Sequence, residues 1–400
     1  MSRMNRPLLV CAASACLCLA AFAAVAWAAD APPPAAKEQP KDQPAEKPDP
    51  FKVPDGTPEE LLKYIEGLKQ QRPASNDLQG ILQLRAKVGR ATIEAVGKIL
   101  AGTPSDEQRA KALQLKLAAL GAQPSAAVNA GLVREFDDLA GQAEKANLSE
   151  LVREAKGMSL GCRARMIRAG SPAAEVEKTL SDIKAYLTAG PLDGRAVQLA
   201  FATGQSLEYG GTAELAAKTY GEFGQILGRS EDKKIAALGP KMEGAARRVG
   251  LVGKEMQIEG KTLDGKPFDW SSYRGKVVLV DFFATWCGPC RAEIPNIVKN
   301  YEAYHDKGFD VVTISVDDNR EALEKFVEKD KHPWTVLHDK AEGVKSVADY
   351  YGVFGIPQMM LVGRDGKVVT LRARGPALGK ELERLLGSAG ESKDGTAPTP

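Results

Sequence analysis

The sequence predicts a multidomain protein: an all-α N-terminal domain followed by an α/β domain built on a central mixed sheet. Three observations carry this. Four hundred residues exceed one ordinary hydrophobic core. Apolar residues between 51 and 250 recur at helical spacing. Near Gly250 the texture changes, and a nearly continuous apolar run, Val277 to Phe283, leads into Trp286-Cys287-Gly288-Pro289-Cys290 and then an amphipathic run. That is strand, turn and helix, with two thiols at the join.

The first residues read as a targeting segment. Arg3 and Arg6 precede the apolar stretch Leu8 to Ala26, and Ala26-Trp27-Ala28 gives a small-x-small cleavage pattern. Residues 1–28 are expected to be a cleaved export signal or, being nearly long enough to span a bilayer, an N-terminal membrane anchor. Cys11, Cys16 and Cys18 lie inside this stretch, and the residues before Cys16 match a lipoprotein site poorly. Residues 29–50 read as a disordered linker, with seven prolines between Ala31 and Pro50.

Residues 51–250 read as a helical domain. Thr57-Pro58-Glu59-Glu60 starts a helix with a hydroxyl cap, an early proline and an acid placed to close a capping box. Thr103-Pro104 and Ser171-Pro172 repeat the start signal, and Gly190-Pro191 marks a break. Abundant alanine and sparse aromatic residues suggest helices packed through small side chains. The stretch Ala213 to Tyr220 has the texture of helical hairpin repeats, but no fixed period emerges; a solenoid-like stack and a plain bundle both fit. Cys162 is expected to be a buried, inert thiol.

In residues 251–388, Met256 to Phe268 reads as a hairpin whose Asp264-Gly265 suggests a type I′ turn. Val277 to Phe283 is a strand covered on both faces. The helix after Cys290 runs to about Asp306, with Pro295 expected to interrupt and kink it. Phe309 to Val316 is a second strand, Glu321 to Lys329 a helix, Trp334 to Leu337 a short strand and Ala341 to Tyr351 a helix. Met359 to Val362 and Val368 to Leu371 form a hairpin, Pro376 to Leu386 a last helix, and residues 389–400 a disordered tail.

The dithiol sets the expected chemistry. A thiolate attacks disulfides, and a helix N-terminus favours the thiolate. Cys287 occupies that position, and Cys290, one turn on, can reach the same sulfur. Cys287 is the candidate nucleophile and Cys290 the resolving thiol, which returns the pair to a disulfide. Asp281, alone in an apolar strand, should have a raised pKa and suits proton transfer. Glu293, three residues after Cys290, is the second candidate; backbone- or lysine-bonded and solvated roles are the respective alternatives. A zinc site would need two further ligands, and His305, His332 and His338 show no paired spacing, so no metal is expected. The net charge of +2 gives no reason to invoke nucleic acid.

The run VDFFATWCGPC, with Arg291 and Pro295 after it, resembles the thioredoxin superfamily across residues 251–388. The leading hairpin and the extra βα unit make the chain more similar to the exported, TlpA-like branch than to cytosolic thioredoxin. The resemblance implies a thioredoxin fold and no cofactor beyond a redox-active Cys287–Cys290 disulfide. It implies a cis-proline at Pro357 facing the dithiol, and a client-binding surface formed by Trp286, Gly288, Pro289, Ile356 and Pro357. Asp281 matches the buried acid of thioredoxin, and Glu293 the acid that reducing members of the exported branch carry. Gln358 and Met359-Met360 depart from the family pattern after the cis-proline, which bears on client preference.

The expected function is therefore an exported, periplasmic thiol–disulfide oxidoreductase that reduces client protein disulfides and draws electrons from a separate membrane donor. Two alternatives remain: a protein-binding scaffold or assembly factor using the helical domain, and a peroxiredoxin-like peroxidase. The second lacks the proline that the Pro-x-x-x-Thr motif requires before its cysteine.

Overall fold

The computed structural model describes residues 49–124, 128–210 and 212–388. The expected signal or anchor, nearly all of the linker and the tail lie outside the described residues. From Pro50 onward the described residues form one compact unit.

The helical part comprises α1 (Pro58–Leu68), α2 (Leu78–Ala101), α3 (Asp106–Gly121), α4 (Ala130–Lys145), α5 (Ser149–Met166), α6 (Ala173–Thr188), α7 (Gly194–Gly210), α8 (Ala213–Gly228), the single turn α9 (Lys233–Ala236) and α10 (Leu238–Val249). Thr57 and Glu60 close the expected capping box. The next start lies two residues beyond Thr103: Ser105 caps α3, because Gln108 stands three residues on and returns the bond to Ser105 N at 2.9 Å. At α6 the backbone of Pro172 takes the cap position without a side-chain bond, since the Ser171 hydroxyl accepts Arg168 N instead.

The helices stack in chain order. Each long helix touches its neighbour, and α1·α3, α3·α5, α5·α7 and α6·α8 also meet. Small residues set the spacing. Ala95, Ala112, Ala143, Ala155, Ala196, Ala200, Ala216 and Ala245 are fully buried. Gly204 lies under the Tyr220 ring, where a methyl group would come within 2.2 Å of a ring carbon. Cys162 is buried in α5, and burial pushes its thiol pKa up.

The α/β part contains β1 (Val277–Phe283), α11 (Gly288–Tyr304), β2 (Phe309–Ser315), α12 (Arg320–Asp330), β3 (Thr335–His338), the single turn α13 (Val347–Tyr350), β4 (Gln358–Val362), β5 (Val368–Thr370) and α14 (Pro376–Leu386). The sheet order is β3-β2-β1-β4-β5, so β1 is central. It runs parallel to β2 and antiparallel to β4, with Asp281 in register between Thr313 and Met359. Strand alternation sends Val277, Leu279 and Phe283 to one core, with Ile297 of α11 and Leu378 and Leu382 of α14. Val278, Val280 and Phe282 face the other core, with Met256, Ile258 and Tyr351. Asp281 has the parity of the first set.

Three local expectations are corrected. The turn at Asp264-Gly265 is not type I′: only Gly265 has a positive φ (83°), Gly265 N donates to Thr262 O, and the hairpin reduces to a single bridge between Lys261 and Pro267. A type I turn closed by one left-handed glycine gives this pattern. The helix expected from Ala341 is only Val347–Tyr350. Gly343 is left-handed, and the Asp339 carboxylate accepts Val347 N at 2.6 Å and Ala348 N at 3.3 Å, fixing the start there. Pro295 does not interrupt α11, which is one helix from Gly288 to Tyr304.

The helical and α/β parts meet along α10, α13 and the segment after it. Lys241 pairs with Asp349 at 3.1 Å, and Arg247 Nε donates to Tyr350 O at 3.1 Å. Gly352, at φ 54°, lies so close to α10 that a side-chain carbon there would stand 2.2 Å from Lys241 O and Ala245 N. Behind this contact, Arg248 of α10 makes a buried fork to Glu208 of α7, with Nη2–Oε2 at 3.0 Å.

Candidate active site

The C-terminal end of β1 delivers the dithiol. Between Phe283 and Cys287 the chain is fixed by a buried acid on the neighbouring strand's exit, Asp317. Its carboxylate accepts Thr285 N at 2.9 Å and Thr285 Oγ1 at 2.7 Å, and Ser315 Oγ braces it at 2.7 Å. Buried His338 sits against the backbone of the same residue, Nε2 lying 2.8 Å from Asp317 O.

Cys287 is the N-cap of α11. Cys290 N donates to Cys287 Sγ at 3.2 Å, and Pro289 occupies the first turn, where no donor is needed. The two sulfurs form a disulfide, S–S 2.04 Å. Both cysteines are buried, whereas Trp286 is 69% exposed and Gly288 faces open space. Access to the sulfur pair is thus past Trp286 and Gly288.

The Ile356–Pro357 peptide is cis. β4 begins at Gln358, which lies opposite Phe282, so register puts Pro357 beside the end of β1 from which the cysteine turn departs. Ile356 packs against the core cluster that contains both cysteines. The structure therefore gathers Trp286, Cys287, Gly288, Pro289, Ile356 and Pro357 at one end of the sheet.

The two carboxylates stand in different surroundings. Asp281 is 4% exposed, its Oδ1 has no hydrogen-bond partner among the described residues, and its pKa is raised to about 7, first by burial and then by the charge of Glu293. Glu293 is also buried, which removes the solvated alternative, and one of its oxygens is engaged twice. Its Oε1 accepts Asn296 Nδ2 and Gly375 N, both at 2.6 Å, and its Oε2 lies 3.6 Å from Arg374 Nε. Glu293 ties α11 to the start of α14, while Asp281 has an oxygen left over.

Sequence reasoning missed Asp317 and the Gly375–Glu293 tie. A signal for the first was present: Ser315-Val316-Asp317 places two polar groups at the end of an apolar strand, where buried polar atoms need partners.

A mixed five-stranded sheet with a Cys-x-x-Cys disulfide capping the helix after its central strand, and a cis-proline at the same end, defines a thiol–disulfide oxidoreductase of thioredoxin fold. Sequence comparison with known proteins agrees. Residues 251–382 match the Redoxin family model. The chain is 32% identical over 125 residues to the thiol-disulfide oxidoreductase ResA of Bacillus thuringiensis subsp. konkukian, covering 31% of this chain and 69% of that protein. It is 29% identical to ResA of Bacillus subtilis, covering 34% of this chain and 76% of the relative. Among solved structures, the thioredoxin domain of a thiol-disulfide oxidoreductase from Bacteroides vulgatus is 36% identical, with 32% of this chain and 92% of that one covered and a TM-score of 0.31. The chain belongs to the ResA family of thiol-disulfide oxidoreductases, with an additional N-terminal helical region.

Proposed function

We propose that the protein reduces disulfides of client proteins outside the cytoplasm, with Cys287 as nucleophile and Cys290 as resolving thiol. In the reduced form the Cys287 thiolate attacks one sulfur of the client disulfide, forming a Cys287–client bond and releasing the other client sulfur as a thiolate. Asp281 then takes the proton of Cys290. The Cys290 thiolate attacks Cys287 Sγ, closes the Cys287–Cys290 disulfide and releases the second client thiolate. Two protons reach the client thiolates, and a membrane-bound dithiol donor restores the enzyme with two electrons and two protons. The N-terminal apolar stretch supports export, and its anchoring would keep the enzyme near such a donor.

The observation that carries this reading is the placing of the sulfur pair. Cys287 Sγ already accepts a backbone N–H at a helix N-terminus, which favours it as a thiolate. Within the same core lies a buried carboxyl with an unpartnered oxygen and a pKa of about 7, near the operating pH of a proton-transfer group. Glu293, whose Oε1 accepts from Asn296 and Gly375, is assigned the positioning of α14. Trp286, Gly288, Pro289, Ile356 and Pro357 form the surface on which an extended client strand rests, Ile356 offering backbone groups to it.

The test is a Cys290→Ser variant. It is expected to accumulate mixed disulfides through Cys287 with client proteins, while the unmodified enzyme reduces insulin. A variant that traps nothing, in a protein that leaves insulin intact, overturns the proposal and favours a scaffold role for the helices.

A further inference from the structure

The segment entering the cis-proline belongs to two cores at once. Phe354, three residues before Pro357, leaves the α/β part and packs into the helical core. Its ring stands edge-on to Phe201 of α7, centroids 4.7 Å apart and planes at 80°, and lies 6.2 Å from Tyr220 of α8. Just before it, Gly352 is pressed against the α10 backbone with no room for a side chain. Between Phe354 and Ile356, Gly355 is exposed and has nothing close to it.

A second tether lies on the adjoining chain. Arg372, just after β5, donates to Glu208 O, and its guanidinium stands 5.1 Å from the Tyr209 ring centre, both on α7. The segment it holds is bonded directly to the strand that follows the cis-proline: Gln358 Nε2 donates to Leu371 O at 2.9 Å, and Ala373 N donates to Met359 O at 3.3 Å. Helix α7 therefore grips the chain on both sides of Ile356–Pro357, through Phe354 before it and Arg372 beside it. The cysteine turn, by contrast, is fixed by Asp317 and by the start of α11, without a helical-region residue among those described.

We infer that α7 and α8 are part of the redox machinery, with Phe201, Phe354 and Arg372 acting as positioning residues that set where the Ile356–Pro357 segment presents its backbone to a client. This rests on the reading that Ile356 and Pro357 seat the client strand, and it assigns the helical region a role in client affinity. Loosening the grip displaces the seat and leaves the sulfur chemistry unchanged, so it raises KM and spares kcat.

The test uses the full-length protein and a disulfide-bonded peptide. Phe201→Ala, a change remote from the sulfurs, and Phe354→Ala are each expected to raise KM roughly tenfold, with kcat within about twofold of the parent. The double variant is expected to be no worse than Phe354→Ala alone, because both remove the same contact. Phe354→Leu, which keeps an apolar group in the helical core, is expected to recover most of the affinity. Arg372→Ala, which leaves the aromatic contact intact, is expected to raise KM by about threefold and serves if the alanine variants do not fold. The Cys287–Cys290 reduction potential is expected to be the same in all of them. Variants that lose thermal stability but keep the parental KM overturn the inference, as does strict additivity of the two phenylalanine changes. KM is read in whichever direction the parent turns over. A parent that oxidises peptides and does not reduce them overturns the proposed direction alone, and one inactive in both directions overturns both proposals.

Discussion

The two walls of the active site are built by different means. The cysteine wall is held by polar groups buried inside the α/β part. Asp317 accepts from Thr285 and Ser315, and Glu293 ties α11 to Gly375, while Asp281, in β1, keeps one oxygen without a partner among the described residues. The cis-proline wall, besides the pairing of β4 with β1 and the packing of Ile356, is held from outside that part as well, by aromatic packing and an arginine reaching to α7. Hydrogen bonds fix atoms in direction and distance, which a reacting sulfur requires. Packing of rings fixes a segment with more latitude, which suits a seat for clients of varied sequence. On the proposed reading, the difference separates the setting of sulfur reactivity from the setting of client affinity, and each should then be alterable alone.

The strongest way to break this comparison is at Asp281. Its folded pKa of about 7 exceeds the ordinary 3.8, so its contribution to stability is present below about pH 4 and is lost as pH rises through about 7. Asp281→Asn removes that loss. The difference in unfolding free energy between variant and parent should therefore shift in favour of the variant by on the order of 3–4 kcal/mol between pH 4 and 8. Chemical denaturation at several pH values measures it; parallel stability curves would show that Asp281 is not buried in its protonated form. The same variant should slow resolution of the mixed disulfide more than its formation.

Asp317→Ala comes next. It leaves the Thr285 donors and the Ser315 hydroxyl without their acceptor, which should cost about 2–4 kcal/mol. It should also slow attack by Cys287, because the turn carrying that sulfur loses its anchor. A variant of parental melting temperature and rate would remove Asp317 from the cysteine wall.

Glu293→Gln should have a smaller effect. Its charge is the second cause of the raised Asp281 pKa, after burial, so its removal moves the Asp281 midpoint down from about 7. The pH profile of the resolution step reads this; an unmoved or raised midpoint would uncouple the two acids. Least of all should come Lys325→Ala, which removes an exposed pair with Glu321 on α12, at about 0.5 kcal/mol or less by thermal melting. A larger loss would show that exposed ion pairs, and not the buried polar network, hold the α/β part.

The α/β architecture was legible because its signals are local. A seven-residue apolar strand, a cysteine pair at a helix start and Gly-Pro between the sulfurs each act within one turn of the chain. The capping box at Thr57 was legible for the same reason, and the start near Thr103 was misplaced because Ser105 offers the better reciprocal partner in Gln108. Asp281 could be singled out because a carboxylate amid valines and phenylalanines has to be explained. What stayed hidden depends on distance in sequence. Gly375 meets Glu293 across 82 residues, and Arg372 meets Glu208 across 164. No periodicity reports such contacts, and Phe354 reads as one more apolar residue in a loop until the ring of Phe201 is seen against it. The helix expected at Ala341 failed because the Asp339 carboxylate sets the first turn at Ser346, a tertiary choice that helical propensity does not contain.

The direction of electron flow is decided most directly by the reduction potential of the Cys287–Cys290 pair, equilibrated against glutathione or dithiothreitol buffers. A reductase of client disulfides predicts a value near that of thioredoxin, about −270 mV. A value near about −120 mV, as in strongly oxidising members of this fold, would contradict the account and make the protein a donor of disulfides.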